Sequence, residues 1–487
     1  MGDRMATEDV ESVLLRGSVR DIGAALRSRR LSVQELTAWC LARIAKLNHA
    51  GPNLNAVRAV GQRVLEEAKA LDAQLAANQD RGPLMGIPVL IKDNVFIADE
   101  YTTSAGAAAL ADFVPRTTAT VVRRLREAGA IVLGKTNLTE FADYVADVMP
   151  AEFSSAGGVV RNPHGIAYGR GQGSSVGSAA AVAAGFAPIA IGGETQNSIQ
   201  TPASYSSVVG FKPSVGAVSR VGIVPLVPSQ DAPGALTRCV EDAKLVFDVI
   251  GGADPRDGVT FFTPSDHIGA RDIDRVSSVR IGVPRRAMAD RADFSGVSAL
   301  LDDVLARLAR AGACIVDPCD LPSAEQLLEV RSCVFRTEFK ASLNAFLDDQ
   351  GSPCGISSLE VLIRWNEAHP ERIPYGQSLL LAANETKGLR DPVYQADRAR
   401  DIALSCTGGI DAALAAGHAD VLLAPMGAAA KCTGKAGAPT LAIPAGLDSH
   451  GVPFGVTLYT SRGRDALLLA VGRLVERAIG ERCLPAL

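Results

Sequence analysis

Residues 117–137 read TTATVVRRLREAGAIVLGKTN. Val121, Val122 and Leu125 recur at helical spacing among charged residues, Gly129 stops the pattern, and AIVLG follows as an apolar run of strand length. A helix feeding a buried strand is half of a β-α-β unit. GIPVLIKDNV at 86–95, opened by the breaker Arg81-Gly82-Pro83, supplies a strand before it. The same alternation continues outward. SAAAVAAG then APIAIGG within 178–193 read as helix and strand, TRCVEDAKLVFDVIGG at 237–252 as a helix, and SALLDDVLARLARAGACIVDP at 298–318 as helix then strand. Near the C-terminus DVLLAP, LAIPAG and GVPFGVTLYT read as strands before the closing helix DALLLAVGRLVERAIG. The pattern predicts an α/β fold: a large mixed, mostly parallel β-sheet flanked by helices on both faces.

Two regions depart from this rhythm. Residues 1–80 read as an N-terminal helical segment, in which Ser32 and Glu35 form a capping-box pair before a 3.6-period apolar run. Residues 320–400 alternate less clearly and carry more helix, so an insertion or cap over the sheet is expected there. With neither a repeat nor a long linker, 1–487 reads as one large domain.

Composition excludes several classes. Hydrophobic residues make up 47% and charged residues 21%, the balance of a globular protein, and the formal charge of −4 offers no attraction to nucleic acid. The longest apolar stretch is broken by Gly185 and Pro188, so no membrane span is expected. Nine cysteines without a C-x-x-C pair argue against a disulfide framework and a structural zinc site, and read as buried thiols of a reducing compartment. MGDRMATEDVES at the start has acids and no apolar core of a signal peptide. A cytoplasmic protein is expected, monomeric or homodimeric, with neither metal nor organic cofactor and a small molecule as partner.

Two readings compete around GQGSSVGS, residues 171–178. Gly173 to Gly177 fit G-x-S-x-G, a nucleophile elbow with Ser175 at its apex, but that motif needs a strand immediately before it. Here the turn-rich RNPHGIAYGRG precedes it, and His267, His369, His418 and His450 all stand in polar, loop-like contexts. The other reading joins three stretches. GQGSSVGS leads into a helix, IAIGGETQNSIQTPA (189–203) runs from a strand into a polar turn holding Ser198, and Lys92 ends an apolar strand. Backbone N–H groups of such a turn can nest an anion, and a desolvated lysine can act as a base. Taken singly, each stretch reads more readily as ordinary turn chemistry or a solvated strand-end lysine.

In order and spacing the chain resembles the amidase signature family. GIPVLIKDNV is similar to its catalytic-lysine strand and GAIVLGKTNLTEFA (129–142) to the segment after it. Residues 161–216, RNPHGIAYGRGQGSSVGSAAAVAAGFAPIAIGGETQNSIQTPASYSSVVGFKPSVG, resemble the signature itself; SQDAPG (229–234) and GAPTLAIPAG…GVPFG fit as well. The resemblance implies a serine–cis-serine–lysine amidohydrolase, with Ser198 as nucleophile, Ser174 as bridging serine behind a cis peptide bond, and Lys92 as base. No histidine is then needed. Backbone N–H groups of Thr195, Gln196, Asn197 and Ser198 would form the oxyanion hole, and Gln200 and Ser175 are the expected substrate contacts.

Glu194-Thr195 agree with the peptide-amidase-like branch, but Gln196 and Asn197 replace its Asp-Gly, Val176 replaces a small residue, and Gln200 stands where many members carry arginine. Asparagine is the change that best tolerates a left-handed backbone. Loss of the arginine removes a carboxylate partner, so a neutral acyl portion is expected. The function implied is hydrolysis of a small neutral amide. Acyl transfer to an amine or alcohol, or a binding role on an impaired site, are the alternatives; the glutaminase component of a tRNA amidotransferase is disfavoured by the same turn.

Overall fold

The structure, a computed structural model, describes residues 7–98, 100–261, 273–288, 297–480 and 482–487. Its first strands are β1 (Val57–Val60), β2 (Pro88–Lys92) and β3 (Ile131–Thr136), followed by a small hairpin of β4 (Phe153–Ser154) and β5 (Gly158–Val159). Then come β6 (Ile189–Glu194), β7 (Val209–Lys212), β8 (Ala232–Thr237), β9 (Arg280–Gly282) and β10 (Cys314–Val316). The last three are β11 (Val421–Pro425), β12 (Thr440–Leu447) and β13 (Pro453–Tyr459). All except the hairpin join one sheet in the order β1-β3-β2-β6-β8-β7-β12-β13-β11-β9-β10.

The mixed α/β sheet is as expected, but its balance is not. Parallel pairing is confined to β3-β2-β6 and to β11-β9-β10. The other neighbours, β1-β3, β6-β8-β7, β7-β12, β12-β13 and β13-β11, are antiparallel, so "mostly parallel" is corrected. The reason is connectivity. A strand that follows a crossover helix runs parallel to its predecessor, whereas β8 returns from β7 through a loop and must run back.

β2 and β3 are buried along their whole length. Against β6 and β2 packs the helix Val176–Ala183, every residue of which is buried. Its small side chains let backbone touch backbone: a Cβ on Gly177 would stand 2.2 Å from the Asn137 carbonyl oxygen. This close approach holds the serine-rich turn at the helix start against the end of the central strands.

In the N-terminal region the helices Thr7–Arg16, Val19–Arg27, Val33–Leu47 and Val64–Ala76 are interrupted by β1, an edge strand unforeseen in an all-helical segment. The Ser32–Glu35 capping box forms, with Glu35 N donating to Ser32 Oγ (3.0 Å) and Ser32 N to Glu35 Oε2 (2.9 Å). Between 320 and 400 the chain forms the helices Ala324–Glu329, Val334–Asp349, Leu359–Ala368 and Ser378–Asn384 and begins Pro392–Ser405. Phe339 stacks edge-on against Phe141 and Tyr144, with centroids 6.0 and 4.9 Å away. Phe346 packs against Phe96 and Phe113. No described helix is long and apolar enough to cross a membrane.

Candidate active site

Strand β2 delivers Lys92 to the end of the sheet with no exposure to solvent. Its Nζ donates to Ser174 Oγ (2.7 Å), Ser175 Oγ (3.0 Å) and the Gly193 carbonyl (3.2 Å). Burial pulls its pKa down to about 7, against the fields of Asp231, Glu194 and Asp143, which pull upward. A lysine so placed has a sizeable neutral fraction at ordinary pH, the state in which it accepts a proton. Just beyond it, Asp93 is clamped by Lys135 Nζ (3.1 Å), Arg58 Nη1 (2.6 Å) and Ser104 Oγ (2.6 Å), which fixes the strand end.

Ser174 follows Gly173 through a cis peptide bond, as the resemblance implied. A Cβ on Gly173 would meet Thr139 Oγ1 at 2.2 Å, so the turn needs glycine there. Ser175 stands at the start of the helix Val176–Ala183, and its N–H donates to the Ser198 carbonyl (3.0 Å). That bond lays the Ser174-Ser175 pair beside the turn of Ser198, which is buried at 4% exposure.

The Ser198 turn is tied from below and left open above. Glu194 Oε2 accepts the N–H groups of Ile199 (2.7 Å) and Gln200 (2.8 Å), and its Oε1 accepts Gln200 Nε2 (2.9 Å). Thr195 Oγ1 donates to Asp231 Oδ1 (2.6 Å), whose other oxygen takes the N–H groups of Leu226 and Val227. Burial raises the pKa of both carboxyls above the usual range. Among the described residues no acceptor takes the backbone N–H of Gln196, Asn197 or Ser198, the donors an oxyanion needs.

Some expectations change here. Gln200 is fully buried, its amide donating to Glu194 and to the Gln196 carbonyl, which stiffens the turn. Ser175 Oγ is engaged by Lys92 and by Gly193 N–H and C=O, which occupies it inside the lysine network. Asn197 does not adopt a left-handed backbone; its side-chain amide donates to the Gly171 carbonyl, binding the two turns together. No strand precedes Ser175, which removes the elbow reading. His369 is stacked on Trp365, and His267 lies outside the described residues. Cys314 and Cys354 are exposed rather than buried.

Sequence reasoning missed Asp143, which follows Phe141 and Ala142 in a run of three left-handed residues beside the site. Burial pushes its carboxyl up to about 7. Asp231 lies within SQDAPG, but nothing in that string points at Thr195.

The turn holding Ser198 borders two cavities. Lys92 and Thr195 open on about 240 Å³, whose lining includes the apolar run Ile223, Val224, Pro225 and Leu226 and the charged Arg220, Arg256 and Asp257. Gln196 and Asn197 open on about 830 Å³ walled by residues 330–336 and by Arg400 and Lys431.

Comparison with known proteins gives the family. The amidase family model matches residues 35–469. The chain belongs to the amidase family. A probable amidase of Arabidopsis thaliana is 33% identical over 478 residues, covering 95% of this chain and 90% of the relative. The solved peptide amidase of Stenotrophomonas maltophilia superposes with a TM-score of 0.87 at 36% identity, covering 96% of this chain and 98% of that one. A putative amidase of Arthroderma benhamiae is 31% identical over 424 residues, covering 84% of this chain and 70% of the relative. As a member of the amidase family on its peptide-amidase-like side, the protein is an amide hydrolase.

Proposed function

We propose that this amidase cleaves the C–N bond of a small neutral amide through an acyl-enzyme on Ser198. The observation that carries the reading is the 2.7 Å contact of the buried Lys92 Nζ with Ser174 Oγ, beside the Ser198 turn. With Lys92 neutral, the Ser174 hydroxyl donates to Nζ and its oxygen accepts the proton of Ser198. Ser198 Oγ attacks the amide carbon as that proton passes through Ser174 to Lys92. The tetrahedral oxyanion takes the N–H groups of Thr195 to Ser198. The proton then returns through Ser174 to the leaving nitrogen, the C–N bond breaks, and the acyl group stays on Ser198. Water, deprotonated by the same relay, releases the acid.

Support for a neutral group no longer comes from Gln200. It comes from the cavity beside Lys92, where the arginines Arg220 and Arg256 are already paired, with Asp257 at 2.6 Å and Asp254 at 3.2 Å. We read residues 320–400 as a cap, supported by the wall they give the larger cavity. We place the enzyme in the cytoplasm, supported by nine cysteines that remain thiols.

The test is intact mass after exposure to a fluorophosphonate, for wild type and Ser198→Ala. One adduct lost in the variant is expected; labelling retained at another serine, or none on folded protein, overturns the reading. Lys92→Ala and Ser198→Ala each cost on the order of 10³-fold or more in kcat, Ser174→Ala leaving a residual rate. Added amines that redirect the product would mark acyl transfer instead of hydrolysis.

A further inference from the structure

Far along the chain from the lysine and serines, β8 ends at Thr237 and Arg238 turns the chain into the helix Val240–Ile250. Arg238 is 5% exposed. Its Nη1 donates to the Leu14 carbonyl at the end of the helix Thr7–Arg16, and Arg482, in the C-terminal tail, donates Nη2 to Leu15 of the same helix end. Beyond these bonds, Nε and Nη2 of Arg238 and Nη1 of Arg482 are buried with no hydrogen-bond partner among the described residues. Buried charged donors are ordinarily satisfied, because leaving them bare is unfavourable.

These two arginines line a cavity of about 480 Å³ together with Arg16 and Arg477. Among the described residues Glu476 is the one acid in its lining, and its two oxygens already accept the Val240 N–H (3.0 and 3.1 Å). Asp242 opposes the Arg238 charge from nearby, yet its Oδ1 is taken by Val19 N (2.9 Å) and its Oδ2 meets no donor. Burial depresses both guanidinium pKa values, that of Arg482 to about 10, with Arg238 and Arg16 lowering it further by repulsion.

We infer that this cavity is an anion site that takes a phosphate group on Arg238 and Arg482, with Arg16 and Arg477 at its mouth. A phosphate suits it better than a carboxylate: more oxygens for the bare donors, more charge, and the fork geometry guanidinium favours. The space exceeds a bare phosphate, so the group can arrive free or on a small phosphomonoester. It shares no lining residue with the cavities beside Ser198 and stands whether or not the proposed catalysis does. A bound phosphate would join the N-terminal helix, the β8 turn and the C-terminal tail.

Thermal unfolding of the full protein tests this with inorganic phosphate, with glycerol phosphate, and with sodium chloride at matched ionic strength. A saturable rise in Tm with phosphate, absent in chloride, is expected. A rise of equal size in both phosphate arms identifies the free ion, and a larger rise with glycerol phosphate an esterified ligand. Arg482→Gln and Arg238→Gln should melt at or above wild type without phosphate, because a buried like charge is gone, and their half-saturating phosphate should rise at least tenfold. Should either fail to fold, Arg16→Gln/Arg477→Gln at the exposed mouth should weaken the response several-fold. No saturable rise, an equal rise in chloride (an adventitious ion only), or unchanged response in the folded variants overturns the inference.

Discussion

At the scale of single residues, Lys92 sets the pH behaviour. Its folded pKa of about 7 lies below the ordinary lysine value, and the relay needs it neutral. The rate of acylation should therefore rise with pH through a midpoint near 7 and level off above it, as read from burst kinetics with a chromogenic amide. Asp143, when ionised, pulls the Lys92 pKa upward, so Asp143→Asn should move that limb to lower pH. The stability sign is opposite to that of a salt-bridged lysine. Between about 7 and the ordinary value the unfolded chain holds a proton that the folded one has lost, so stability rises with pH across that window. Lys92→Met, of similar length and uncharged, should be inactive yet melt above wild type at pH 7, with the gap closing toward pH 10. A lower melting point at pH 7 would mean that the lysine's hydrogen bonds outweigh its desolvation. The resemblance, through order and spacing, drew Lys92, Ser174 and Ser198 together; local pattern alone placed each only at a strand end or turn. The direction of Gln200 was not legible. One residue after a nucleophile's turn, a side chain points in or out according to what lies beneath, and Glu194 there is an acceptor that only the folded strand places.

At the scale of elements, Gln200 and Glu194 behave as one internal brace for the start of the helix Gln200–Tyr205. Gln200→Ala leaves Glu194 and the Gln196 carbonyl short of donors, costing about 1–3 kcal/mol of stability by chemical denaturation. If Gln200 only braces the turn, neutral and carboxylate-bearing amides should lose the same factor in kcat/KM. A selective change for the carboxylates would restore it as a substrate contact. The helices and apolar strands around it were legible because their periods are local. Strands β1, β7 and β8 were not; β1 is an antiparallel edge strand, and β7 and β8 supply the antiparallel pairs β6-β8, β8-β7 and β7-β12 in the middle of the sheet. β8 reads APGALT, with a proline and a glycine that weaken any strand signal. It is held as a strand by β6 and β7 on either side, a tertiary effect with no local trace.

At the scale of the whole molecule, the helical segment and the sheet meet at Glu338. Its Oε2 accepts the Ser229 N–H (2.9 Å) and its Oε1 the Tyr394 hydroxyl (3.0 Å). It thus joins two helices to the loop that carries Gln230 and Asp231. Gln230 takes the Gln196 side chain and Asp231 takes Thr195, so this one buried carboxylate sits one step behind the proposed oxyanion turn. Glu338→Ala leaves two part-buried donors without this acceptor and should lower stability by about 1 kcal/mol. More tellingly, it should lower kcat more than it raises KM, because a displaced turn weakens the oxyanion while both cavities persist. Glu338→Gln keeps an acceptor for one donor and should recover part of the rate, as a positioning role requires. A variant that loses stability with kcat intact would show that the segment from 320 to 400 packs on the sheet without governing the site. In that case the wall it gives the larger cavity would shape substrate choice alone, and Tyr394→Phe should be equally silent in kcat.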